Sequence, residues 1–256
     1  MIIDSHCHAG KGDGLTGPWD TDAPLTDYLR WADESGIAKT VVFAAFHSNY
    51  AKANAGVARI VASNPHRFYG YAFVHAARDA GNIFQLVKTA VQQYGFCGIK
   101  VHRYDARITR EICLTARHFK LPVLYDVFGE VSSVDLLARE YPDVNFIIPH
   151  LGSFADDWKV QMACISPLER YANIHTDVSG IRRFDVLEEA LQRAGPSKIL
   201  FGSDGPWIHP GVELAKVYAF HLPKEEEDKI LFRNFLRLTK NLTAKNFSYV
   251  PGMQAK

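Results

Sequence analysis

Eight times along this chain a short, almost unbroken apolar run is followed by a stretch carrying apolar residues at helical spacing. That alternation leaves few folds open. The apolar runs predict strands at 2–4, 40–45, 68–74, 97–101, 121–125, 144–148, 174–178 and 199–202. The helical stretches fall at 25–35, 53–62, 83–94, 109–119, 134–140, 157–171, 186–194 and 213–220, with a last helix at 224–238. Runs such as VVFAA, NFIIP and KILFG are too continuous for a half-exposed sheet and suit a parallel sheet covered on its faces. Eight such units predict an α/β protein, one domain over residues 1–256, closed as a single, slightly distorted (β/α)8 TIM barrel. An open doubly wound sheet is the alternative, but no GxGxxG or Walker-type loop supports a nucleotide site in one.

Composition excludes several classes of function. The formal charge is +1, and no basic stripe or RNA-type aromatic motif is present, so no nucleic-acid partner is expected. No window approaches about 20 uninterrupted apolar residues, so no membrane span is expected either. The N-terminus lacks the basic, apolar and small-residue regions of a signal peptide. Cys7, Cys97, Cys113 and Cys164 are scattered without a CxxC spacing, which predicts reduced, buried thiols in a cytoplasmic protein.

In a barrel the working groups stand where the strands end. Here the ends carry His6 and His8, His47, His75, Lys100 and His102, Asp126, His150, His175 and Asp177, and Asp204. The first pair is the most telling. In Asp4-Ser5-His6-Cys7-His8 a period of two turns both imidazoles to one side, where they can grip a divalent metal, and turns Cys7 toward the helices.

The motifs DSHCH, Gly98-Ile99-Lys100, Pro149-His150-Leu151-Gly152 and Phe201-Gly202-Ser203-Asp204-Gly205-Pro206 together resemble the amidohydrolase superfamily, in its family-2 branch of metal-dependent barrel hydrolases and decarboxylases. The resemblance runs in order along essentially the whole chain. It implies that His6 and His8 bind metal, that Asp204 binds it and acts as general base, and that His150 is either a ligand or a group polarising the substrate. Where the family usually carries a fifth-strand His after Leu-Pro-Val, this chain carries Asp126. That residue is expected as a direct ligand, with a second role, hydrogen-bonded to a ligand His, left open. Lys100 is expected to pair with a carboxylate such as Asp126, the alternative being a carboxylated lysine bridging two ions.

His102, Arg103, His175 and Trp207 are further candidates for lining a substrate pocket. For His102 and His175, bonding to backbone is an equal alternative. Arg103, Arg182 and Arg183 could clamp a carboxylate or be ordinary surface residues. His47 and His75 are expected to be packed or solvent-facing. One Zn2+, or Mn2+, per chain is expected, and a homodimer is possible. The expected chemistry is attack of an activated water on a carbonyl of a small molecule: an ester, lactone or amide. A metal-dependent decarboxylase of an unsaturated or aromatic acid is the alternative, and a non-catalytic binding barrel a third. The loops at 10–22 and 153–159 are expected to choose the substrate.

Overall fold

The computed structural model describes residues 1–15 and 21–243. Nine strands form one sheet among the described residues: β1 (Ile3–Lys11), β2 (Asp22–Ala23), β3 (Lys39–Ala44), β4 (Phe68–Phe73), β5 (Gly98–His102), β6 (Val123–Asp126), β7 (Phe146–Ile148), β8 (Ile174–Asp177) and β9 (Ile199–Leu200). Their order is β2-β1-β3-β4-β5-β6-β7-β8-β9. β2 is a short antiparallel hook on β1, and every other pairing is parallel.

The seam between first and last strands is closed by backbone bonds. Ser5 N donates to Phe201 O at 2.9 Å, Asp204 N to His6 O at 2.8 Å, and His8 N to Gly205 O at 2.6 Å. The eight parallel strands therefore form a barrel, as the alternation requires. β1 is longer than expected and carries its two His within the strand. Its register shifts between Asp4 and Cys7, the mark of a bulge that re-aims side chains.

Helices α1 (Leu25–Glu34), α2 (Tyr50–Ser63), α3 (Ile83–Tyr94), α4 (Arg110–Phe119), α5 (Ser132–Glu140), α6 (Trp158–Arg170), α7 (Phe184–Ala194) and α8 (Pro210–Ala219) follow the strands. In α3, Ile83, Leu86, Val87 and Ala90 form one buried stripe, and Gly95 stops the helix at φ 71°.

The expected last helix is broken. It runs as α9 (Lys224–Asp228), a π-turn over Lys229–Arg233, and α10 (Asn234–Thr243). The wide turn has an identifiable use, since Ile230 O accepts Phe201 N at 2.8 Å, tying the C-terminal helices to the strand end before Asp204. No helix among the described residues is long and apolar enough to cross a membrane. All four cysteines are buried and unpaired. Part of the expected 10–22 loop, residues 16–20, lies outside the described residues.

Candidate metal centre

Among the described residues, His6, His8 and Asp204 each bring one ligand atom within 4.8 Å of the others. β1 supplies both imidazoles. Asp204 stands just beyond β9, in the left-handed region at φ 58°, and its own N–H is tied to His6 O. Asp204 Oδ1 lies 3.2 Å from His6 Nε2 and 3.7 Å from His8 Nε2. His150 is also left-handed, at φ 58°. Non-glycine residues held there cost about 1–3 kcal/mol, which the surrounding bonds must offset.

The tautomers follow from the neighbours of each ring. His6 Nδ1 faces Asp177 Oδ2 at 2.8 Å, and a carboxylate can only accept. His8 Nδ1 donates to Ala44 O at 3.0 Å. His150 Nδ1 donates to Ser179 O at 2.8 Å, and the Ser179 hydroxyl beside it already donates to Asp177. The Nε2 edges of all three rings are left to face the mouth. His6 Nε2 is buried without a hydrogen-bond partner, the one orphaned atom in the cluster.

Two nitrogens and a carboxylate oxygen fit a zinc-class ion, and three protein ligands leave a coordination position open. Electrostatics agree. Burial and the Lys100 ammonium push His6 down, but the Asp177 and Asp204 carboxylates outweigh them and hold it at about 9. His8, with burial dominant, is pushed well below its ordinary value. Burial pushes Asp204 up, yet His6, then His150 and His8, hold its carboxyl well below the usual range. A field that raises the His6 ring and lowers the Asp204 carboxyl also favours a metal cation there.

Asp126 and His150 lie outside this cluster. Asp126 Oδ2 is 3.1 Å from His102 Nε2 and 3.7 Å from His150 Nε2, while Oδ1 accepts Phe128 N at 2.8 Å. His102 Nδ1 accepts Tyr104 N, so its Nε2 carries the proton and donates to Asp126. Burial pushes Asp126 up, and His102, His150 and Lys100 more than offset it. Lys100 is fully buried, its ammonium 5.0 Å from the centre of the Phe43 ring. Trp207 packs on His8 with ring centres 4.6 Å apart and donates to Asp22 O.

Two candidates stand elsewhere. Arg103 is bound by Glu130, which also holds Arg107, so that guanidinium is already paired. His175 does not line the mouth: it contacts Arg237 of α10 at 3.4 Å, at the opposite end of the barrel. One period below Asp177 on the same strand, it has the right face and the wrong layer. Burial, with Lys198 and Arg237, pushes it down to about 3. Arg182 and Arg183 pair with Asp156 and Asp185 at the surface. His47 and His75 accept backbone N–H groups of the turns that follow them.

The sequence left several supporting groups without a role. Asp177 binds the His6 ring and also accepts the backbone N–H of His150 and of Ser179. Asp4, fully buried, accepts from Tyr28, His6 N, and both the N–H and hydroxyl of Ser203, pinning β1 to the Asp204 segment. Burial raises Asp4 to about 6 against those four bonds. The available signal was position: Asp4 lies two residues before His6, and Asp177 ends an apolar run.

Fold and site define a closed (β/α)8 barrel with a His–His–Asp centre at the C-terminal mouth of its strands. Residues 114–238, just under half of the chain, match the amidohydrolase family (Amidohydro_2). No curated protein sequence matches it. Among solved structures, an amidohydrolase from Burkholderia multivorans with bound zinc superimposes with a TM-score of 0.77 at 14% identity, covering 94% of this chain and 99% of the other. The 5-carboxyvanillate decarboxylase from Sphingomonas paucimobilis gives 0.73 at 12%, covering 93% and 98%. A probable 2-pyrone-4,6-dicarboxylic acid hydrolase from Acinetobacter baumannii, with citric acid bound, gives 0.70 at 16%, covering 93% and 99%. At these identities the likeness establishes the fold.

Proposed function

We propose that this protein is a metal-dependent hydrolase of a small carbonyl compound, with a divalent ion, Zn2+ or Mn2+, held by His6, His8 and Asp204. The observation that carries the reading is the set of ring tautomers, which leaves His6 Nε2 buried and unpartnered beside His8 Nε2 and Asp204 Oδ1. A bound ion of this class lowers the pKa of water from 15.7 to about 7, which makes a hydroxide nucleophile available at neutral pH.

The chain's own residues then divide the remaining work. Asp204, ionised and partly open to solvent, accepts the proton of the attacking water and returns it to the leaving group. His150, with Nδ1–H fixed on Ser179 O, presents its Nε2 to the mouth, 3.7 Å from Asp126. From there it faces the carbonyl oxygen on which charge develops. His102 holds Asp126 in place. Trp207 covers the His8 edge and limits bulk water.

A second reading is a decarboxylase, because proteins with that activity share the fold at a TM-score of 0.73. It would need a cation for the substrate carboxylate, and Arg103 is committed to Glu130. We read residues 1–256 as one domain, and its unpaired buried thiols support a cytoplasmic setting. The test is a panel of aryl esters, lactones and amides beside aromatic acids, assayed with protein loaded with Zn2+ or Mn2+. Release of alcohol, acid or amine supports the hydrolase reading. Carbon dioxide release with no hydrolysis overturns it in favour of the second.

A further inference from the structure

The loop after β8, Val178-Ser179-Gly180-Ile181, reaches the His150 and His6 rings and Asp177. Ser179 O takes the His150 ring proton, and the Ser179 hydroxyl lies 2.9 Å from His150 Nδ1 and 3.4 Å from His6 Nδ1 while donating to Asp177. Gly180 sits at φ 62°, where an added Cβ would stand 2.4 Å from the Phe154 ring and 3.1 Å from His150 Nδ1. Part of this shape is held locally, by Asp177 accepting Ser179 N at 3.1 Å and by Ala155 N donating to Gly180 O at 2.9 Å.

A second set of bonds, to both ends and the middle of the loop, comes from α8. Lys216 Nζ donates to Val178 O at 2.7 Å, to Ile181 O at 3.0 Å and to Glu213 Oε2 at 2.5 Å. Glu213 Oε2 accepts Gly180 N at 2.9 Å. The lysine binds the carbonyls at both ends of the loop, and the glutamate binds the N–H in its middle. An ammonium has three protons and all three are placed. Glu213 is 4% exposed, so the pair is shielded and its geometry is fixed by hydrogen bonds. It is an expensive arrangement for a helix that needed only apolar contacts to pack.

We propose that Glu213 and Lys216 are positioning residues: a clasp from α8 that sets the loop so that Ser179 O holds the His150 ring with Nε2 toward the mouth. The clasp touches none of His6, His8, His150 or Asp204, and acts on His150 through one loop. The inference rests on the reading of His150 as part of the working site. Because α8 follows the Asp204 segment in the chain, the clasp also couples that segment to the β7 end carrying His150. Outer groups of this kind typically alter affinity or rate 10- to 100-fold when removed.

The test uses full-length, zinc-treated protein with 15N-labelled histidine rings, comparing wild type with Lys216→Met and Glu213→Gln. Wild type is expected to show exchange-protected ring N–H signals for His8 and His150, assigned through His8→Gln and His150→Gln. Both clasp variants should exchange the His150 signal at least 10-fold faster, while the His8 signal, bonded to Ala44 O in another part of the barrel, stays within twofold. With a hydrolysed substrate in hand, kcat should fall about 10-fold at unchanged KM and zinc content.

Unchanged His150 exchange in either folded variant overturns the clasp, as does equal acceleration at His8 and His150, which reports general loosening. Glu213→Gln is nearly isosteric, so it keeps the test open if Lys216→Met does not fold. An unprotected His150 ring in wild type overturns the proposal without any variant. Should wild type bind no zinc, the metal reading fails, yet the exchange comparison still decides the clasp.

Discussion

The Nδ1 of His6 donates to Asp177 across the barrel seam at 2.8 Å, so the first strand's ligand is oriented by the carboxylate that ends β8. This pairing fixes the tautomer and raises the ring's basicity, the usual arrangement behind a metal-binding imidazole. Asp177→Asn keeps the shape and loses the charge. Its zinc dissociation constant is expected to rise about 10- to 100-fold, measured by competition with a chromophoric chelator. Unchanged affinity would mean that Asp177 serves only the backbone of His150 and Ser179.

Asp126 is held by His102 and Phe128 N, outside the three-residue cluster. Asp126→Ala should therefore retain its metal, at wild-type stoichiometry by elemental analysis. Turnover should fall about 100-fold, as His150 loses the carboxylate beside its Nε2. Loss of metal from this variant would make Asp126 a ligand after all, which is what its position in the sequence first suggests.

Gly202 lies against the His6–Asp177 pair. An added Cβ would stand 2.9 Å from His6 Cβ and 3.1 Å from Asp177 Oδ2. Gly202→Ala is expected to lower stability by about 1–3 kcal/mol by denaturant titration. It should also weaken zinc binding, because the methyl group pries apart the His6–Asp177 pair. Zinc affinity equal to wild type would show that the seam yields without moving the ligands.

His175 gives the pH prediction. Its folded-state pKa is depressed to about 3 from the model-compound 6.5, so the buried neutral ring contributes stability that is complete above pH 6.5 and is lost as pH falls toward 3. Between pH 7 and pH 4.5, wild type should lose about 2–3 kcal/mol more than His175→Phe, followed by urea unfolding at each pH. Parallel losses in the two proteins would remove His175 from the acid response.

How much of this was legible in the sequence depended on which interactions are local. His6, His8, His150 and Asp204 stand out because each follows an apolar run that can only be a buried strand, so a polar residue there needs a reason. Asp177 was visible as a strand end, but its partner is 171 residues away across the closing seam, a distance no periodicity reports. The clasp was hidden for the same reason: a Glu and a Lys three apart read as an ordinary helical ion pair until the loop beneath them is seen. His175 was misplaced by one layer because apolar runs do not say how deep in a barrel each residue lies. The break in the last helix was hidden too, since Ile230 gives its carbonyl to Phe201 in a contact set by tertiary packing.

Metal content tests the central claim most directly. Wild type, His6→Ala and Asp204→Ala would be purified side by side, reconstituted with Zn2+ or Mn2+, freed of excess ion and measured by elemental analysis. The account predicts about one tightly held ion per wild-type chain and little in either variant, since each removes one of the three ligands clustered among the described residues. A wild type that holds no ion after reconstitution, or variants that hold as much as wild type, would contradict it.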